Sequence, residues 1–121
     1  MPIVDIEIVR ASDRAGAPTA NELADALGEV FRSPPGRTWV RLRRLDPGCY
    51  AENGLSVAES EQPVFATVLH AHPPRAQALA TELAALTRTL AALCGCEPDR
   101  VHVQYAPAAA GRQAFGGQLV V

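Results

Sequence analysis

The sequence predicts an α/β (α+β) protein built from a tandem β-α-β repeat, with a four-stranded, mostly parallel or mixed sheet and two helices on one face. A strand, an amphipathic helix and a second strand occur twice in this order, and the two copies open at Pro2 and Pro63. Right-handed crossovers would place both helices on one face of the sheet. We expect one domain, residues 1–121, with repeat one at about 2–54 and repeat two at about 63–121.

The first repeat begins with a strand and continues with a helix. Residues 3–9, IVDIEIV, alternate in polarity, a pattern typical of a strand with one buried face. Thr19 and Glu22 have the spacing of a capping box, and they open an amphipathic segment, TANELADALGEVF. After the breakers SPPG, the alternating segment TWVRLRRL predicts the second strand.

The second repeat follows the same order. PVFATVLHA, which begins at Pro63, is rich in β-forming residues and predicts the third strand. RAQALATELAALTRTLAALC predicts a helix, because its leucines form one stripe along its length, and Gly95 predicts the end of that helix. VHVQYA predicts the closing strand.

One face of the predicted sheet is left without helices. This open face would carry Trp39, Arg41, Arg43, His102 and Gln104, which are too apolar and too long to be left entirely in water. We therefore expect self-association that covers the open face and the sheet edges. The alternative is a solvated face.

Charge and composition exclude several classes of function. A net charge of -2 and a pI near 5.9 give no overall attraction to phosphate backbones or acidic membranes, so neither nucleic acid nor a membrane is an expected partner. All 11 basic residues are arginine, which excludes Schiff-base lysine catalysis and a phosphate-loop lysine.

The cysteines and the start of the chain bear on its compartment. Cys49, Cys94 and Cys96 are odd in number and form no paired motif, so they predict neither a disulfide framework nor a zinc site. The first nine residues lack the basic start and long apolar run of a signal peptide. We expect a reduced, cytoplasmic protein.

Four short segments, in the right order, resemble segments of the tautomerase superfamily. MPIVDIEIV resembles the opening of 4-oxalocrotonate tautomerases, and AAAGRQAFGGQ resembles the glycine-rich hairpin near their end. SPPGRTWVR and EPDRVHVQY resemble turn-plus-strand segments of macrophage migration inhibitory factors. The resemblance covers nearly the whole chain. It implies the tautomerase (MIF-like) fold, a homotrimer with sheets around a central channel, and no cofactor.

The resemblance also implies an activity: cofactor-independent keto-enol conversion of a small 2-oxo or 2-hydroxydienoic acid. The catalytic residue would be Pro2, whose secondary amine is released when Met1 is removed. An apolar pocket with nearby cations would lower the pKa of that amine toward neutrality, where a general base works efficiently. Pro63, its counterpart, has an amide nitrogen and cannot act as a base.

The resemblance implies arginines as the ligands of the substrate carboxylate, and the candidates are Arg10, Arg14, Arg32 and Arg41. Arg10 and Arg14 flank Ser12, the position that corresponds to a family arginine, and each is otherwise a solvated loop charge. Arg41 shares a strand face with Trp39, the position of a second family arginine. Arg32 precedes Ser33, which aligns with a carboxylate-binding lysine.

Four other residues complete the predicted substrate-binding set: Tyr50, His72, His102 and Gln104. Tyr50 stands where the family has a pocket phenylalanine, or else packs locally in its hairpin. His102 and Gln104 replace a tyrosine and an asparagine that serve a neighbouring subunit's pocket. His70 and His72 would share a strand face, so a metal pair is the alternative to a substrate contact, although no third ligand has a telling spacing.

Two other functions remain open. A hydrolytic dehalogenase or decarboxylase of the same fold would need a second acid-base group near the proline, for which Glu7, Glu52 and His102 are the candidates. A non-catalytic trimeric binding module would keep the fold and lack the activity, as the missing family arginines suggest.

Overall fold

A computed structural model describes residues 1–121 as a four-stranded sheet with two helices packed on one face, followed by a separate two-stranded hairpin. In chain order the elements are β1 (Ile3–Val9), α1 (Ala20–Phe31), β2 (Trp39–Leu45), β3 (Val64–Leu69), α2 (Ala76–Cys94), β4 (Val101–Tyr105) and the hairpin strands β5 (Ala114–Phe115) and β6 (Gln118–Leu119). The two β-α-β units and the late hairpin confirm the predicted fold class.

The sheet is mixed, with the strand order β2-β1-β3-β4. Each repeat contributes a parallel pair, β1 with β2 and β3 with β4, as right-handed crossovers require. The repeats meet where β1 and β3 pair antiparallel, with Ile3 opposite Leu69 and Ile8 opposite Val64. The start of β1 therefore lies beside the end of β3.

The core lies between the sheet and the helices. Alternation places Val4, Ile6 and Ile8 of β1 on the helix side, and all three are buried. Their main partners are the buried leucines Leu23 and Leu27 of α1 and Leu86 and Leu90 of α2. Burying one leucine stabilises the fold by about 1.5–3 kcal/mol, so these stripes attach the helices to the sheet.

The helix ends follow local chemistry. The Thr19 hydroxyl accepts a hydrogen bond from the Glu22 backbone N–H at 3.1 Å, which confirms Thr19 as the N-cap of α1. The Glu22 carboxylate accepts from the Thr19 hydroxyl at 3.2 Å, in place of the backbone N–H that a full capping box would use. Gly95 ends α2 in the left-handed conformation, with φ 68°. Arg32 ends α1 in the same region, with φ 54°, although its side chain disfavours it.

Two details differ from the sequence prediction. The third strand ends at Leu69, so His70 and His72 lie in the following loop and the strand alternation that paired them does not apply. On the open face, the Trp39 ring packs against Phe115 of the late hairpin, with ring centroids 4.8 Å apart, so this hairpin covers one corner of the face. Neither helix combines the length and hydropathy needed to cross a membrane.

Candidate active site at the start of the first strand

Pro2 lies at the edge of the core, immediately before β1. Its side chain is buried, and its carbonyl oxygen accepts a hydrogen bond from the backbone N–H of Trp39 at 3.1 Å. This bond extends the β1–β2 pairing by one residue and holds Pro2 in line with the strand. The nitrogen of Pro2 is here part of the peptide bond to Met1, so the terminal amine is that of Met1.

The N-terminal amine lies in a partly dry and positively charged environment. Its pKa is lowered from the ordinary value of 8.0, first by burial and then by the charge of Arg37. Arg37 precedes β2 by two residues, and the Ile3–Trp39 register brings it toward the chain's beginning. Arg37 was not among the residues predicted from the sequence, because only the strand register reveals its proximity.

A half-buried cluster of polar and aromatic side chains lies on the helix side, at the end of the sheet where Pro2 lies. We call it the His70 cluster: His70, Glu82, Tyr105 and Phe31. His70 Nε2 lies 2.9 Å from Glu82 Oε2, and the Tyr105 hydroxyl donates a hydrogen bond to that same oxygen. The side chains of His70 and Glu82 are only 12% and 15% exposed.

Aromatic rings hold the His70 imidazole on two sides. The Phe31 ring meets it edge-on at 5.2 Å, and the Tyr105 ring stacks on it at 5.8 Å. Burial, and then the hydrogen bond to Glu82, raise the pKa of Tyr105 well above its ordinary value, so its hydroxyl stays a donor. The cluster joins the loop after β3 to β4 and both helices, at the Pro2 end of the sheet.

The four predicted arginines have different environments. Arg10 is buried, and its guanidinium donates to the backbone carbonyls of Arg14, Ala15 and Cys94. This geometry gives Arg10 a structural role, since its donors already serve the backbone. Arg14 is bound to Glu59, with Nε and Oε1 3.4 Å apart.

Arg41 and Arg32 are more exposed than Arg10 and Arg14. Arg41 forms a two-point ion pair with Asp5 on the open face, with Nε–Oδ1 2.5 Å and Nη2–Oδ2 2.8 Å. Arg32, at the end of α1, is exposed and has no ion-pair partner in the protein. Of the four arginines, Arg32 is therefore the one with an uncommitted charge.

Tyr50 and His102 come together at the other end of the sheet. Both rings lie against Phe65, with centroid distances of 5.9 and 5.2 Å. The Tyr50 hydroxyl donates to Glu52 Oε2 at 2.6 Å, and Arg100 Nη2 lies 2.5 Å from the same oxygen. The hydrogen bonds from Tyr50 and then Arg100 hold the pKa of Glu52 below its ordinary value.

Within the chain this second group is separated from Pro2. His102 pairs with Phe65, which pairs with Glu7, whereas Pro2 precedes Ile3. Pro2 and Val9 mark opposite ends of a strand about 20 Å long. The candidate second acid-base groups Glu7, Glu52 and His102 thus lie away from the Pro2 of their own chain.

The remaining predicted residues lie at the surface. Gln104 is exposed on the open face and, with His102, lines a depression of about 390 Å³ there. His72 is exposed, and its Nε2 lies 3.2 Å from the backbone oxygen of Val121. No three side chains of the protein come together as a metal site, and His70 and His72 have separate partners.

Another depression lies along α1 and the turn that leads to β2. It has a volume of about 440 Å³ and runs along α1 toward Ser33 and Thr38, with Asp25 and Glu29 in its wall and no basic residue. Two carboxylates without a cation disfavour an anionic substrate. We therefore place the candidate site at Pro2, where cationic and aromatic groups are present.

The fold is that of the tautomerase superfamily. The chain is similar to the macrophage migration inhibitory factor of Oncomelania hupensis, with a TM-score of 0.74 and 17% identity over 98% of this chain and 81% of that one. It is similar to Pt0534, solved after inactivation by 2-oxo-3-pentynoate, with a TM-score of 0.74 and 19% identity over 97% of this chain and 94% of that one.

A third similar structure is malonate semialdehyde decarboxylase, described with decarboxylase and hydratase activities. Its TM-score is 0.61 and its identity 23%, over 94% of this chain and 90% of that one. The structural neighbours thus include enzymes, and at these identities the likeness establishes the fold alone. No protein-family model matches the sequence, and no curated protein matches it significantly.

Proposed function

We propose that this protein is a cofactor-independent tautomerase that uses the amine of Pro2, after removal of Met1, as a general acid-base. Its substrate would be a small 2-oxo or 2-hydroxydienoic acid. The observation that carries the proposal is the position of Pro2: it is buried and lies directly before the strand β1, at the end of the sheet where burial and Arg37 lower the pKa of the neighbouring Met1 amine.

The chemistry requires one group that takes and returns a proton. An amine with a lowered pKa is partly unprotonated at neutral pH, so its lone pair can remove the proton of the enol oxygen or of the carbon beside the carbonyl. The resulting ammonium returns a proton to the other atom of the keto-enol pair. The amine is regenerated, and no redox partner or metal is needed for the balance.

The substrate carboxylate needs a cation near the amine. Arg37 is the basic residue whose charge acts on the N-terminus, and Arg32 is exposed with an uncommitted guanidinium. A guanidinium presents paired donors that match the two oxygens of a carboxylate. We therefore add Arg37 to the predicted candidate Arg32 as ligands for the substrate.

We also propose a homotrimer. Tyr50, His102 and Gln104 lie toward the far end of their own sheet or on its open face, so they can reach a Pro2 only by belonging to another subunit. Packing subunits on the open face would bring Tyr50, His102 and Gln104 of one subunit to the Pro2 of its neighbour. It would also cover the depression beside His102 and Gln104.

The test compares the wild type with Pro2→Ala in the enol-to-keto conversion of 2-hydroxymuconate and phenylenolpyruvate, followed by ultraviolet absorbance. Intact mass must first show that Met1 is absent. Loss of the general base should lower turnover by about 100-fold or more. Pro63→Ala is the matched control, since it removes the counterpart proline, whose nitrogen is an amide. Equal turnover by the wild type and Pro2→Ala would overturn the proposal.

Decarboxylation is a second candidate activity. It is favoured by the similarity to two malonate semialdehyde decarboxylase structures, at 23% and 24% identity. Release of carbon dioxide from malonate semialdehyde by the wild type, lost in Pro2→Ala, would support it over tautomerisation. Wild-type protein that lacks Met1 and is inactive in every assay would instead support a non-catalytic binding module.

A further inference from the structure

We propose that His70 is the hydrogen-bond acceptor for the Pro2 amine, with its tautomer set by Glu82 and Tyr105. This inference rests on the proposed function of Pro2 and adds a second residue to that site. His70 would be a positioning residue, because it acts on the substrate through the proline. It orients the nitrogen that exchanges protons.

Pro2 and His70 follow the ends of two paired strands. The β1–β3 ladder ends at the pair Ile3–Leu69, and Pro2 and His70 are the next residue of each strand beyond that pair. Pro2 is buried, and the His70 ring contacts Phe31 of α1 and Glu82 of α2, which places the imidazole on the helix side of the sheet. Both residues therefore lie at the same end of the sheet.

The hydrogen bonds of Glu82 determine which nitrogen of His70 carries the proton. Glu82 Oε2 receives the Tyr105 hydroxyl proton, and it also faces His70 Nε2 at 2.9 Å. A carboxylate is an acceptor, so Nε2 must donate. A neutral imidazole that donates from Nε2 has an unprotonated Nδ1, which is then an acceptor.

His70 Nδ1 is free to accept a hydrogen bond. It makes no hydrogen bond within the chain. It is also not fully buried, since Gln62 Oε1 is the only fully buried side-chain nitrogen or oxygen that lacks a hydrogen-bond partner. The ring itself is held by Phe31 and Tyr105, so Nδ1 keeps a defined direction. An acceptor on a fixed ring therefore lies at the end of the sheet where Pro2 lies.

For catalysis, the hydrogen bond to His70 would fix the direction of the amine lone pair. A secondary amine has one N–H and one lone pair, so an N–H donated to His70 leaves the lone pair for the substrate. When the amine takes a proton, one N–H of the ammonium remains on His70 and the other returns to the substrate. Holding the reacting atom in one orientation is a recognised source of rate.

A purely structural network that ties α2 to the sheet is the competing explanation. Two substitutions separate it from the proposal. His70→Gln keeps an amide near the Nε2 position, for the bond to Glu82, and lacks an acceptor at Nδ1. His70→Asn keeps an amide oxygen near the Nδ1 position and loses the bond to Glu82. If the cluster only ties α2 to the sheet, the contact near Nε2 matters and His70→Asn should be the more harmful variant. If His70 positions the amine, the acceptor near Nδ1 matters and His70→Gln should be the more harmful one.

The first experiment reads the tautomer in the protein without any substrate. Long-range proton-nitrogen correlation spectra of protein with ¹⁵N-labelled histidine should show a protonated Nε2 and a bare Nδ1 at His70. In Glu82→Gln the two tautomers should mix, since the carboxylate that selects one of them is gone. A wild-type His70 protonated at Nδ1 and bare at Nε2 would overturn the proposal.

The second experiment measures the reactivity of the Pro2 amine with 2-oxo-3-pentynoate, an electrophilic alkyne. Addition forms one N–C bond and moves the amine proton to carbon, so intact mass rises by the whole reagent and nothing is released. We expect labelling by His70→Gln to be about 100-fold slower than wild type at unchanged thermal stability, and His70→Asn to stay within about tenfold.

Equal labelling rates in the wild type and both His70 variants would overturn the proposal. So would a slow rate in His70→Asn alone. Labelling does not require turnover, so a protein that is labelled at Pro2 but inactive in the keto-enol assay would contradict the proposed function and still decide the role of His70. Pro2→Ala, which should not be labelled at its N-terminus at the same rate, identifies the site.

Discussion

The guanidinium of Arg10 donates to the carbonyl oxygen of Cys94, with Nη1 and O 3.4 Å apart. This contact joins the residue after β1 to the last residue of α2, 84 positions later in the chain. Carbonyls at the C-terminus of a helix have no partner within the helix and carry its partial negative charge. A buried cation at this place therefore stabilises the packing of the second repeat on the first.

Arg10→Ala should lower the free energy of unfolding by about 3 kcal/mol, because three carbonyls lose a charged donor. Urea denaturation measures this loss. Arg14→Ala is the control and should cost less than about 1 kcal/mol, since its pair with Glu59 is exposed. If Arg10 binds substrate instead, its loss will raise KM at little cost in stability.

Arg32→Gly should raise the free energy of unfolding by up to about 1 kcal/mol, since glycine tolerates the left-handed φ of 54° that an arginine disfavours. Gly95→Ala makes the reverse change at the end of α2 and should be destabilising by a similar amount. Kinetics on the same variant test the predicted role of Arg32: a carboxylate ligand would show a raised KM. Lower stability of Arg32→Gly would contradict the backbone argument.

Glu52 should make stability depend on acidity. Tyr50 and Arg100 depress the pKa of Glu52 below its ordinary 4.5, so folding gains stability that is complete above about pH 4.5 and is lost as the pH falls through the folded-state pKa. The stability difference between wild type and Glu52→Gln should therefore shrink as the pH is lowered below 4.5. Denaturation midpoints above and below that pH measure it.

Tyr50→Phe provides the control for this effect. It removes the hydrogen bond that contributes most to the lowered pKa of Glu52, so the pH dependence should weaken while Arg100 remains in place. A difference between wild type and Glu52→Gln that is constant with pH would show that Glu52 titrates alike in the folded and unfolded chains.

Thr67→Arg should dissociate the proposed trimer and leave the protomer folded. Thr67 lies in the middle of β3 on the open face, opposite Asp5, whose carboxylate already binds Arg41, so in a free protomer the new charge stays in water. An interface packed on this face would bury that charge without a partner from the neighbouring subunit. Light scattering after size exclusion gives the mass, and Arg88→Glu, on the exposed side of α2, should remain a trimer. An unchanged mass for Thr67→Arg would exclude this face as the interface.

Local patterns were sufficient for the elements and the fold class. The alternation of β1, the N-cap at Thr19 and the glycine at Gly95 act over a few residues, so the sequence shows them directly. The third strand was predicted too long, because PVFATVLHA stays β-prone past Leu69 while the ladder with β1 ends at the Ile3–Leu69 pair. Pro2 was a candidate from the sequence, and its buried place beside β2 adds a physical basis.

The sequence by itself determined the two β-α-β units, the helix-facing stripes and the candidate proline, since each depends on periodicity or on residues close together in the chain. Only the tertiary structure decided which side chains meet: Arg37 near the terminal amine, Arg10 at the carbonyl of Cys94, and His70 with Glu82 and Tyr105. These contacts depend on strand register and helix docking. Both are set by the packing of the whole core, which no short segment encodes.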